Sequence, residues 1–132
     1  MDQATKKILI VEDDPLTVKI IQSHLLQSQM LRRVPCTILI AVDVEEGLAK
    51  VRAENPDVIL LDLLLPGRSG FELLEAIKAD QAVQAIPVIV LSNLGQEEVA
   101  AKALKLGASD YVIKGGISLN DLLAKIEKII GV

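Results

Sequence analysis

One cysteine, Cys36, and one histidine, His24, are all that the 132 residues contain of the two side chains that most often build disulfides and zinc sites. An internal disulfide framework and a cysteine zinc cluster are therefore excluded, and a single thiol fits a reducing cytoplasm. Long apolar runs are missing as well. Hydrophobic residues make up 51% of the chain, but charges break each run well short of the ~20 residues needed to span a bilayer, so membrane insertion is not expected. The opening MDQATKK has no apolar signal-peptide core, which argues against export. Basic residues are in deficit, with 14 Lys and Arg against 18 Asp and Glu. Sequence-blind binding to nucleic acid needs the opposite balance, which leaves a protein partner or a small ion as the expected ligand. No repeat or low-complexity linker divides the chain, and residues 1–132 are expected to form one domain with a sizeable core.

What the chain does have is strict alternation of apolar strand runs with amphipathic helical runs. Strand runs are expected at Lys7 to Val11, Thr37 to Val42, from Val58 to Asp62, Val88 to Leu91 and Asp110 to Ile113. Val58 to Leu61 has no polar face, as expected of a central strand buried on both sides. Pro15 opens the first helix, with Asp14 as its N-cap; the helix runs to about Gln29 and turns Leu16, Ile20, Ile21 and Leu25 inward. The second runs from Val44 to Ala53 with Leu48 and Val51 inward, and Asn55-Pro56 ends it. The third follows Gly70, with Phe71, Leu74 and Ile77 as its stripe. The fourth, Glu97 to Leu106, buries Val99, Ala103 and Leu104 and is stopped by Gly107. The last begins near Ser118 and packs through Leu122, Leu123, Ile126, Ile129 and Ile130. The pattern predicts an α/β fold, a doubly wound five-stranded parallel sheet flanked by five helices.

In such a sheet the carboxyl ends of the strands form the ligand-binding edge. Glu12 and Asp13 follow strand one, Asp62 ends strand three, Ser92 strand four and Lys114 strand five. Three carboxylates converging there repel one another unless a cation joins them, and an oxygen-only shell suits a hard divalent ion such as Mg²⁺. Such an ion commonly takes a phosphate oxygen too, and a lysine and a hydroxyl suit phosphoryl oxygens. Taken singly, each residue has an ordinary explanation as a cap, a turn residue or a solvated lysine. Their placement at four strand ends of one sheet does not.

This set resembles the response-regulator receiver domain of two-component signalling, over nearly the whole chain. The resemblance rests on the acidic pair Glu12 and Asp13, on Asp62 followed by Pro66 and Gly70, on Ser92, on Lys114 and on the intervals between them. It implies strand order 2-1-3-4-5 and a phosphoacceptor Asp62 that takes a phosphoryl group from a sensor histidine kinase or a histidine phosphotransfer protein. Asp13, Asp62 and the backbone carbonyl of Leu64 would hold Mg²⁺, with Glu12 reaching it through water, while Lys114 and Ser92 grip phosphoryl oxygens. Ser92 and Tyr111 would act as the switch, altering the surface of helix four, strand five and helix five toward a downstream output protein or domain. A phosphorylation-dependent homodimer is a further partner that the resemblance admits. The chain is thus expected to be a signalling module rather than an enzyme, catalysing only its own Mg²⁺-dependent phosphorylation and dephosphorylation.

The sequence departs from the family pattern at Gly115-Gly116, where a proline usually follows the lysine, and at Asn93 and Leu64 beside the expected phosphate. The connection before Thr37, with Arg32 and Arg33, is longer than usual and reads as a solvated loop. A phosphatase of the haloacid-dehalogenase type would need an aspartate at position 64. A flavin carrier would need a hydroxyl-rich loop at Glu12 to Asp14. The alternative reading is a pseudo-receiver, a protein-binding module without phosphorylation, against which the complete acid, hydroxyl and lysine set weighs. No output domain follows Ile130, so the expectation is a stand-alone regulator or a receiver from a longer protein.

Overall fold

A computed structural model describes residues 5–28, 33–93, 96–114 and 119–131. Strands β1 (Lys6–Val11), β2 (Cys36–Ala41), β3 (Val58–Asp62), β4 (Val88–Ser92) and β5 (Asp110–Ile113) alternate with helices α1 (Pro15–Leu26), α2 (Val44–Glu54), α3 (Gly70–Ala79), α4 (Glu97–Lys105) and α5 (Leu119–Ile130). All four strand pairings are parallel, in the order β2-β1-β3-β4-β5. Fold class and strand order are as expected. The expected start of the last helix at Ser118, the Gly115-Gly116 pair and Arg32 lie outside the described residues.

Successive strand side chains point to opposite faces, which explains why these strands read as unbroken apolar runs. Leu9, Val11, Ile59, Leu61, Val88 and Val90 enter one core with α2, α3 and α4. Ile8, Ile10, Val58, Leu60, Ile89, Leu91 and Val112 enter a second core beneath α1 and α5. Because β3 and β4 are buried at every residue, a polar side chain can reach the surface only beyond their ends. Among the described residues the edge strand β2 has a strand neighbour on one side alone; on it, the Lys50 ammonium donates to the Ile40 carbonyl.

The helices follow the expected patterns, with shifts in phase. Asp14 caps α1, accepting from the Leu16 amide at 3.1 Å and the Thr17 hydroxyl at 2.9 Å, with Pro15 at the first helical position. The buried residues of α1 are Val18, Ile21 and Leu25, whereas Leu16 and Ile20 are exposed. Leu16 sits in the first turn, and the helix has rotated to a stripe at spacings three and four that does not use it. Helix α1 also ends earlier than expected, at Leu26. In α3, Leu73 is buried and Phe71 only partly so. In α4 only Ala103 is buried and Leu104 is half exposed. No described helix is long and apolar enough to cross a membrane.

The end of α4 shows why Gly107 is required. The amide of Ala108 bonds to the Ala103 carbonyl and that of Gly107 to the Leu104 carbonyl, each at 3.0 Å, the double bond of a Schellman cap. Gly107 has φ 108° and packs against the stem of Lys78, whose ammonium donates to the carbonyls of Gln84 at 3.0 Å and Ile86 at 2.9 Å. Gly107→Ala is expected to destabilise the protein by about 1–2 kcal/mol, the cost of a left-handed L-residue; urea melts giving an unchanged midpoint would contradict this account of the cap.

Candidate functional site

The parallel register lines up the strand ends. Val11 pairs with Leu61, Asp62 with Leu91 and Ser92 with Ile113, so Glu12, Asp13, Asp62, Ser92 and Lys114 share one edge. The carboxylates of Glu12, Asp13 and Asp62 each place an oxygen within 4.8 Å of the others. Asp13 is exposed, but Glu12 and Asp62 are only 3% and 6% accessible. The strand-end position predicts an exposed Asp62, and the structure corrects that. Leu63 continues into the core, and the chain folds back so that the Gly70 amide donates to the Leu63 carbonyl at 2.8 Å. Gly70 lies so close that a Cβ there would stand 2.3 Å from the Asp62 carbonyl oxygen.

Local hydrogen bonds orient the acids. One Glu12 carboxylate oxygen accepts from the Asp13 amide at 3.1 Å and from the Asp14 amide at 3.4 Å. Asp62 Oδ1 accepts from the Leu64 amide at 3.3 Å. The Lys114 ammonium donates to Glu12 Oε1 and lies 3.4 Å from Asp62 Oδ2, while its backbone amide ties β5 to the Ser92 carbonyl at 2.8 Å. Burial alone would lower the pKa of Lys114, but the bond to Glu12 and the charges of Asp62 and Glu12 raise it, so the side chain stays protonated. Among the described residues, three carboxylates thus face one resident cation, Lys114. The imbalance is what a divalent ion would neutralise, and an all-oxygen donor set fits a hard one.

Of the other expected residues, Ser92 is fully buried at the end of β4. Leu64 pairs with Ser69 in an isolated antiparallel bridge and its side chain is 58% exposed; Asn93 is exposed. Tyr111 is half-buried and packed on the core beneath α2, α3 and α4. Arg33 is exposed, and His24 meets Asn120 of α5 at 3.0 Å. Two contacts are not expected from the sequence, although it places Glu12 and Lys114 at the same edge. The bond between Lys114 and Glu12 joins residues 102 apart. Arg68 links the first turns of α2 and α3 through Glu45 and Glu72.

Burial first, and then hydrogen bonding to neighbouring Asp62, push the Glu12 carboxyl above its ordinary range although Lys114 pulls the other way. A carboxyl with a higher pKa folded than unfolded favours the fold below its unfolded value and loses that contribution as pH rises through the folded one. Ionised Glu12 therefore costs the metal-free protein stability at neutral pH. Glu12→Gln is expected to raise the Tm of metal-free protein at neutral pH, with the gain shrinking as pH falls to where Glu12 protonates. A lowered Tm would show that the bond to Lys114 outweighs burial.

With this geometry in view, comparisons with known proteins agree on one family. A family model described as response regulator receiver domain matches residues 8–127. The chain is 33% identical over 125 residues to the phosphate regulon transcriptional regulatory protein PhoB of Pseudomonas aeruginosa, covering 95% of this chain and 52% of that protein. It spans about half or less of the length of the curated relatives it matches. Among solved structures, the phosphorylated cyanobacterial phytochrome response regulator RcpA is 34% identical with a TM-score of 0.78, covering 97% of this chain and 91% of that one. The Mn²⁺-bound form of response regulator Rcp1 is 30% identical with a TM-score of 0.76, covering 96% and 90%. By its matched residues, its strand order and the acids, hydroxyl and lysine gathered at one sheet edge, the chain belongs to the response-regulator receiver family of two-component signalling.

Proposed function

We propose that residues 1–132 form a single receiver domain whose Asp62 accepts a phosphoryl group from a phosphohistidine of a sensor kinase or a histidine phosphotransfer protein. The observation that carries this reading is the surrounding of Asp62, with Glu12 and Asp13 within ligand distance and the Lys114 ammonium 3.4 Å away. In the transfer, an Asp62 carboxylate oxygen forms a bond to phosphorus, and the phosphorus–nitrogen bond breaks with its electron pair returning to the imidazole. Such a reaction asks mainly for positioning and charge stabilisation. Asp13, Asp62 and the Leu64 carbonyl are the proposed holders of Mg²⁺, with Glu12 acting through water. When bound, the ion would offset the charge of the incoming phosphoryl oxygens. Lys114, already poised between Glu12 and Asp62, would turn to a phosphoryl oxygen, and the Ser92 hydroxyl would donate to another.

A phosphorylated relative at 34% identity and a Mn²⁺-bound one at 30% support both halves of the reading. The signal would pass through Ser92 and Tyr111 to the surface of α4, β5 and α5, and from there to an output protein or domain in the cytoplasm. Incubation with acetyl phosphate and Mg²⁺, followed by borohydride trapping and mass spectrometry, tests the acceptor. Label is expected on Asp62 alone, and none in Asp62→Asn or without divalent ion. Label on another aspartate in the wild type would refute the assignment, and no label on any residue would favour a pseudo-receiver.

The lifetime of the acyl phosphate follows from what borders it. Leu64 offers an attacking water no hydrogen bond, so turnover is expected to be slow. Leu64→Asn is expected to speed loss of phosphate roughly fivefold, the worth of one hydrogen bond of about 1 kcal/mol, measured at fixed Mg²⁺ without any phosphatase. An equal or slower decay would show that Leu64 does not shield the phosphate.

A further inference from the structure

The loop between Asp62 and α3 is fastened at its base and bare at its tip. Leu63 is buried, Leu64 pairs with Ser69, and the Gly70 amide bonds to the Leu63 carbonyl. Pro66, Gly67, Arg68 and Ser69 are all exposed. From that tip the Arg68 guanidinium reaches two carboxylates. Its Nε donates to Glu72 Oε2 at 2.7 Å and its Nη1 to Glu45 Oε1 at 2.8 Å. Both acids lie in the first turns of their helices, α2 and α3, where the helix dipole already favours negative charge. Those two helices are themselves close-packed, since a Cβ on Gly47 of α2 would stand 2.8 Å from the Leu73 side chain of α3. Arg68 therefore joins the loop to a rigid pair.

We infer that Arg68 is a positioning residue for the divalent ion, holding the loop that carries Leu64 in the arrangement the ion requires. The inference rests on reading Glu12, Asp13 and Asp62 as a divalent-ion site, and it adds a residue that touches none of the ion's proposed ligands. Its mechanism is preorganisation. A loop already fixed loses less conformational freedom when its carbonyl coordinates, so affinity rises without a new contact. Because the clamp is made of exposed charges, its contribution should be modest and should fade in high salt.

Electrostatics and positioning predict opposite signs for one substitution. On electrostatics alone, removing a positive charge should tighten cation binding, whereas releasing the loop should weaken it. Mg²⁺ titration by calorimetry at low salt is therefore expected to show about two- to fivefold weaker binding for Arg68→Met, with Arg68→Lys intermediate and the apo Tm of both close to wild type. Glu45→Gln in the Arg68→Met background should add little, since both changes break one contact, and high salt should erase the difference between Arg68→Met and wild type. Binding by Arg68→Met that equals or exceeds wild type at low salt overturns the inference. A wild type that binds no Mg²⁺, or binds it equally well as Asp13→Asn, overturns the ion site and this inference together.

Discussion

A strand buried on both faces can carry charge only at its ends, and the rest of this molecule is arranged around that constraint. β3 and β4 are inaccessible along their whole length, so their polar residues, Asp62 and Ser92, come last. Parallel pairing then brings the ends of successive strands to the same edge, with helices filling both faces and leaving that edge to the loops. The site is a by-product of how the sheet is buried. The stability of two apolar cores concentrates acids that would otherwise stay apart, and Lys114 is the one cation described as directly bonded among them.

The crowding gives the site its chemistry. In open water three carboxylates would repel weakly, but with Glu12 and Asp62 nearly inaccessible the repulsion is less screened. Burial and the neighbouring Asp62 raise the Glu12 pKa, and the bond to Glu12 with the charges of Asp62 and Glu12 raises that of Lys114. The pair Lys114–Glu12 is thus an internal answer to the same imbalance, and a phosphoryl group competing for the ammonium would have to offer it a better partner than Glu12.

The sequence made the strands, the strict alternation and the identity of the edge residues legible because each is local. An apolar run ending in Asp62 or Ser92 needs no knowledge of distant contacts. Strand order came from the resemblance. Helix phase was less readable, since Leu16, Ile20 and Leu104 are apolar yet face outward, and only the tertiary position of α1 and α4 decides which of two adjacent stripes is buried. The burial of Asp62 was not readable at all, because it depends on Gly70 returning against the Asp62 carbonyl. Nothing in the sequence singles out Arg68, as its partner Glu45 lies in a different strand–helix unit. Pairings of that kind leave no periodic trace in a chain.

The ammonium of Lys50 on the Ile40 carbonyl has a meaning beyond its own helix. The bonds from Lys6 to the Pro35 carbonyl and from Glu12 to the Ala41 carbonyl show which β2 groups face β1, so the intervening Cys36, Ile38 and Ile40 turn their backbone groups outward. An apolar row of that sort at a sheet margin is a template on which a foreign strand can grow. Lys50, paired with Glu46 at 3.3 Å, takes up one of its acceptors and sets charge beside it. A chain seeking to extend the sheet at Ile40 would meet an ammonium already on that carbonyl and a charge beside it, at the end of the sheet farthest from β5.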